Sequence, residues 1–225
     1  MSEQRDKNLW IFNAGNSFAG NPKWMFEYII RHHKEIKPVW MCYNADTMNY
    51  VHKLGYEAEL YHSSKGKSVM AKAGVYVVEM CKEVFQPELS GITVLNLWHG
   101  VGCKSIERKV TDGFLQERIA KKYIQNNDIL RNNQLFLVTS EIMEKHFKEQ
   151  CGIDDDKVIR AGYPRCVVND NIQSYDHDIR KKKGLSANTK LAIYCPTYRD
   201  NNGANFMKSA LPDMKRLAEV LHENN

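Results

Sequence analysis

The sequence predicts an α/β protein built on a doubly wound parallel sheet, and two observations predict it. Short apolar runs rich in β-branched and aromatic residues alternate with longer stretches whose apolar residues recur at three- and four-residue steps. That alternation is the pattern of βαβ units, in which each strand feeds a helix that packs back over the sheet. The composition, 43% hydrophobic and 26% charged over 225 residues, is that of a globular chain able to build a core.

Taken in order, the first strand is expected over 9–12, followed by a polar, glycine-bearing loop over 13–21 and a helix over 22–33. The helix start has clear chemistry. Asn21 is placed to accept a free backbone N–H as a cap, and Pro22 is placed at the first helical position, where a missing N–H costs nothing. Strands over 38–43 and 57–61 alternate with helices over 46–54 and 65–73. Two almost wholly apolar strands follow, over 75–79 and 94–98. A helix over 115–126 leads to a strand over 135–139, and Ser140 caps a helix over 141–150 ahead of a last strand over 158–161. These elements make one Rossmann-like domain over residues 1–167. A polar, turn-rich stretch over 168–188 contains a helical segment over 176–183 that Gly184 stops, and it reads as an interdomain link. A strand over 191–194 and a helix over 212–223 then begin a second domain over 189–225, since one strand and one helix cannot form a domain alone.

Several classes are disfavoured. No apolar run approaches the roughly 20 residues needed to span a bilayer, and residues 1–8 are too polar for a signal peptide, so the cytoplasm is the expected compartment. The six cysteines are dispersed, without Cys-x-x-Cys or zinc spacing, and are expected as reduced thiols, mostly packing residues. The paired His32 and His33 have no matching cluster of ligands, so no metal is expected. A formal charge of +5 suits phosphate-rich partners: nucleotides, anionic polymers or an acidic membrane surface. Its basic residues gather at Lys104/Arg108/Lys109, Lys121/Lys122 and 180–183. No nucleic-acid motif is present, and none is expected as a partner.

The chemistry concentrates at strand ends. The strand over 94–98 runs into His99-Gly100-Val101-Gly102-Cys103-Lys104, and in an open α/β sheet ligands bind at the carboxyl ends of strands. The glycines permit close backbone approach and Lys104 adds a cation, so the loop is suited to hold an anion against a titratable imidazole. An unperturbed imidazole titrates near ~6.5, which suits it to take a proton from a hydroxyl. The loop lacks the third glycine of a dinucleotide fingerprint, which disfavours a nicotinamide-dependent enzyme. Two further strand ends carry an arginine, Gly162-Tyr163-Pro164-Arg165 and Pro196-Thr197-Tyr198-Arg199-Asp200, and a guanidinium is a planar fork matched to phosphate oxygens. The loop over 13–21 is a candidate for the acceptor side.

This ordered set of segments resembles the amino-terminal part of the CDP-glycerol glycerophosphotransferase family. The resemblance rests on 9–30 with Asn21-Pro22-Lys23-Trp24, on Leu97-Trp98-His99-Gly100 followed by Lys104, on Thr139-Ser140 through Phe147, on Gly162-Tyr163-Pro164-Arg165, and on 194–200. Val101-Gly102-Cys103 stands where the family has Thr-Pro-Leu, and Cys166-Val167 where it commonly has Asn-Asp. The resemblance implies a two-Rossmann-domain glycosyltransferase-B-type fold, with this chain supplying the first domain and the second only begun, so that alone it would be inactive. It further implies transfer of glycerol phosphate or a related polyol phosphate from CDP-glycerol or CDP-ribitol to the hydroxyl end of a teichoic-acid-like or capsular polymer or its lipid-linked primer, with CMP released and no cofactor. On that reading His99 is the general base. Gly100, Val101, Gly102, Cys103, Lys104, Arg165, Thr197, Tyr198 and Arg199 bind substrate, and the protein associates peripherally with the inner face of the membrane. A sugar-nucleotide glycosyltransferase of the same fold and a non-catalytic module for anionic polymers are the alternatives.

Overall fold

The computed structural model describes residues 5–81, 86–102, 105–125, 133–166, 179–195 and 209–224. Its contacts divide the chain into two units, Met1–Asp170 and Asn171–Asn225. In the first unit the elements run β1 (Asp6–Phe12), α1 (Gly20–His32), β2 (Lys37–Cys42), α2 (Ala45–Lys53), β3 (Ala58–Leu60), α3 (Ser64–Lys72), β4 (Ala73–Val78), β5 (Thr93–Asn96), α4 (Phe114–Gln125), β6 (Gln134–Val138), α5 (Glu141–Cys151) and β7 (Val158–Arg160). All seven expected strands form. They pair in parallel in the order β3-β2-β1-β4-β5-β6-β7. The order grows outward from β1 on one side and from β4 on the other, so it reverses between these neighbours and opens a crevice beyond their carboxyl ends.

Both faces of the sheet are covered, which is why the strands read as nearly continuous apolar runs. Successive side chains alternate between two cores. Phe12, Trp40, Val77 and Leu95 join Phe26 and Ile29 of α1 and Phe147 of α5 on one face. Ile11, Met41, Tyr76, Val78 and Val94 join Met70 of α3 on the other. The first core is strongly aromatic: Phe26 meets Phe12 edge-on at 5.3 Å, Trp40 at 5.7 Å and Tyr56 at 5.5 Å between ring centroids. Buried thiols belong to the packing as expected. Cys42, Cys81 and Cys151 are buried and free, and burial pushes the Cys42 thiol up to about 12.

Local signals place most helix starts. Asn44 accepts from the Thr47 N–H at 2.8 Å, Ser63 from the Gly66 N–H at 2.9 Å, and Ser140 from the Met143 N–H at 3.3 Å as expected. Gly152 ends α5 in the left-handed region at φ 68°. The expected cap of α1 is corrected. Its N-cap is Ala19, which makes no side-chain cap bond, and the helix begins at Gly20, so Pro22 is the third helical residue. Asn21 is fully buried and its side chain is engaged elsewhere. The loop before α1 is also no loose connection, because Asn13 is buried and its Nδ2 donates to the carbonyls of Gly15 and Met41.

The second unit shows α6 (Ile179–Lys183) and α7 (Met214–Glu223). Gly184 stops α6 at φ 64°, and Asp213 caps α7 by accepting the Arg216 N–H at 2.8 Å. The strand expected over 191–194 does not form; residues 190–195 carry no regular structure, and Leu191, Ile193 and Tyr194 are exposed. A strand needs a neighbour to satisfy its N–H and C=O groups, and the described residues of this unit contain none.

Candidate functional site

The crevice between β1 and β4 sits beside the loop that follows β5, and three loops meet there. The strand end itself is shaped by a buried polar residue. Asn96 closes the apolar run of β5, its Nδ2 donating to Gln134 Oε1 at 3.0 Å and its Oδ1 accepting the Trp98 N–H at 3.0 Å. Trp98 is buried with φ 52°, a left-handed conformation that costs a residue of this bulk about 1–3 kcal/mol. Its ring, packed against Phe136 and Phe147 at 5.6 and 5.1 Å, helps to hold it there. The consequence is directional: the chain turns sharply and delivers His99 to the strand end as an exposed ring stacked on Trp98 at 4.4 Å.

His99 Nδ1 lies 2.7 Å from the backbone carbonyl of Glu79, just beyond β4. A carbonyl only accepts, so Nδ1 carries the proton and donates, and the tautomer this contact selects has its lone pair at Nε2. Nε2 makes no hydrogen bond among the described residues. The imidazole is thereby oriented, with Nε2 turned away from the Glu79 carbonyl.

Arg165 is brought to the same loop. Its guanidinium lies 3.6 Å from where a Cβ on Gly100 would stand, and it rests over the Tyr163 ring at 5.5 Å. The Tyr163 hydroxyl donates to the Gly100 carbonyl at 3.0 Å, and burial pushes that hydroxyl above its usual range, keeping it a neutral donor. Val101 is exposed, and Gly102 lies beside His146, with a Cβ there 3.4 Å from Nε2. Of the residues singled out in the sequence, His99, Gly100 and Arg165 are therefore assembled, with Val101 and Gly102 continuing the loop. Cys103, Lys104, Thr197, Tyr198 and Arg199 lie outside the described residues.

Sequence reasoning missed two contributors and misread a third. Glu79 follows β4, and its Oε2 accepts the Asn21 N–H at 3.1 Å, satisfying one of the free donors at the start of α1. Gly20, at φ 68°, makes room for it, since a Cβ there would lie 2.0 Å from Oε2. Asn96 was the second. A carboxylate and an amide that end otherwise apolar strands were the available signals. Asn21, read as a cap, instead ties loops together: its Nδ2 donates to the Trp98 carbonyl at 2.8 Å and its Oδ1 accepts the Arg165 N–H at 3.3 Å.

The basic clusters are partly reassigned. Lys122 is buried and paired with Glu107, so it adds nothing to a cationic surface, whereas Arg108, Lys109 and Lys121 are exposed. Among the described residues no group of three His, Cys, Asp or Glu side chains is placed to hold a metal, and no helix is long and apolar enough to cross a membrane.

The chain is similar to solved structures of a wall teichoic acid polymerase, one with a TM-score of 0.73 at 20% identity over 97% of this chain and 55% of the other. A related structure has a TM-score of 0.68 at 18% identity, covering 90% and 50%. Curated relatives are the teichoic acid poly(glycerol phosphate) polymerases of Bacillus subtilis (strain 168), 25% identical over 201 residues, and of Bacillus spizizenii (strain ATCC 23059 / NRRL B-14472 / W23), 21% identical over 214. The alignments cover 83% and 88% of this chain, but only 25% and 52% of those relatives' own lengths. The family model for CDP-Glycerol:Poly(glycerophosphate) glycerophosphotransferase matches residues 1–225, and the chain belongs to that family.

Proposed function

We propose that the protein transfers glycerol phosphate, or a related polyol phosphate, from a CDP-linked donor to the hydroxyl end of a teichoic-acid-like or capsular polymer or its lipid-linked primer. The observation that carries this reading is the His99 Nδ1 contact with the Glu79 carbonyl at a strand end lined by Arg165. The acceptor hydroxyl oxygen attacks the phosphorus that bears the polyol, a new P–O bond forms, the bridging P–O bond breaks, and CMP leaves. His99 Nε2 takes the hydroxyl proton, so the attacking oxygen gains nucleophilicity as it bonds. Arg165 offsets charge on the phosphoryl oxygens, with Lys104, Thr197, Tyr198 and Arg199 as further donors and the amides of residues 100–103 assisting. Residues 189–225 contribute to a second, nucleotide-binding domain, and 168–188 join it to the domain over 1–167.

A coupled CMP-release assay tests this, run on the longest natural reading frame containing these residues with CDP-glycerol, CDP-ribitol and UDP-sugars as donors. Acceptor-dependent CMP release is expected. UDP release instead would identify a sugar transferase, and no release from folded protein given an acceptor panel would identify a polymer-binding module. Peripheral association with anionic membrane is part of the same proposal, resting on exposed cations such as Arg108, Lys109, Lys121 and Lys181. Each near-surface cation contributes about 1 kcal/mol, screened by salt, so vesicle co-sedimentation should fall as salt rises. Salt-insensitive sedimentation would count against it.

A further inference from the structure

We propose that Asn21 is the positioning residue for the His99 base, a three-way latch joining the loops after β4, β5 and β7; the inference rests on the transferase reading above. The residue is fully buried and uses its backbone and both ends of its side chain on different loops. Its N–H donates to Glu79 Oε2 at 3.1 Å, its Nδ2 to the Trp98 carbonyl at 2.8 Å, and its Oδ1 accepts the Arg165 N–H at 3.3 Å. A helix cap would need none of these partners.

The Trp98 bond matters most. That carbonyl belongs to the peptide linking Trp98 to His99, so Asn21 pins the base from its amino-terminal side while Asn96 Oδ1 pins the N–H of the same Trp98 at 3.0 Å. The left-handed Trp98 is held at both of its polar backbone groups, and a strained conformation persists only where its surroundings over-determine it. Glu79 closes the circuit, because its side chain meets Asn21 and its carbonyl meets His99 Nδ1. Removing the Asn21 side chain therefore loosens the turn that presents His99, and with it the Nδ1 contact to the Glu79 carbonyl that sets the tautomer, while the backbone N–H bond to Glu79 persists. Arg165 is drawn in through its backbone N–H, so base and cation share one support.

Outer hydrogen-bond partners of metal-ligating histidines typically change activity about 10- to 100-fold when removed, and an effect of that order is expected at His99. In the assay above, Asn21→Ala should lower turnover by about that factor and, because Arg165 loses the same support, raise KM for the CDP-linked donor as well. Asn21→Asp is the isosteric companion should the alanine variant fail to fold. Its carboxylate cannot donate to the Trp98 carbonyl, so it should lose turnover as the alanine variant does.

A readout independent of turnover is the ring nitrogen spectrum of His99, assigned by its disappearance in His99→Ala. Wild type should show the Nδ1–H tautomer, and Asn21→Ala, or Asn21→Asp at high pH, should lose that preference. An unchanged tautomer overturns the latch whatever turnover does. Turnover within about two-fold of wild type in an active enzyme overturns it as well. If no CDP-linked polyol is consumed by wild type, the transferase reading fails by itself and the tautomer decides the latch alone.

Discussion

His99→Ala, in a reading frame long enough to be active, should lose roughly 10² to 10⁴ in turnover while its donor KM and unfolding midpoint change little. The loss follows from removing the proton acceptor at the moment the hydroxyl attacks, since a neutral alcohol is a poor nucleophile. Donor binding survives because the phosphate contacts assigned to Arg165 and its companions do not pass through the imidazole. Stability survives because the ring is exposed and its one hydrogen bond among the described residues is to a backbone carbonyl. Steady-state CMP release beside a thermal melt reads both. A variant that retains turnover within about ten-fold would remove His99 from the role of base, and one that loses its folded state would make His99 a structural residue.

Phe26→Ala should destabilise the first unit by about 3–5 kcal/mol, a large share of the roughly 5–15 kcal/mol that holds a typical domain together. Phe26 is fully buried on α1 and meets the rings of Phe12, Phe18, Trp40 and Tyr56. Truncation both removes this contact and leaves a cavity among stiff aromatic walls that cannot collapse to fill it. Denaturant unfolding should show a lower midpoint with an unchanged slope. Because α1 also carries Asn21 and the Gly20 turn that admits Glu79, the variant should lose turnover before it unfolds. A loss below about 1 kcal/mol would mean that α1 is not anchored through this ring.

The sheet was legible because its signal is local and repeated. Each strand is a short run of apolar, often β-branched residues, and two covered faces leave little room for polar interruption, so 38–43 and 75–79 declare themselves without knowledge of their neighbours. The run over 191–194 looks the same in isolation and forms no strand, because pairing is a property of two segments and a propensity is a property of one. His99 and Arg165 were visible for a similar reason: each follows a strand, and strand ends are where an open α/β sheet binds ligands. Ser140 was read correctly as a cap, since its partner lies three residues away.

Asn21 shows where such reading stops. An Asn-Pro pair at a helix start has the chemistry of a cap, but the partners it meets are Glu79, Trp98 and Arg165, 58, 77 and 144 residues away. By itself the sequence determined the fold class, the seven strands and the strand-end placing of the candidates His99 and Arg165, because periodicity and strand-end position are written within a few residues of one another. Only the tertiary structure decided the order of the strands, the left-handed turn at Trp98, the tautomer of His99 and the use of Asn21. Each of these depends on a hydrogen bond or a packing contact between segments that are distant along the chain, and no local preference specifies which of them will meet.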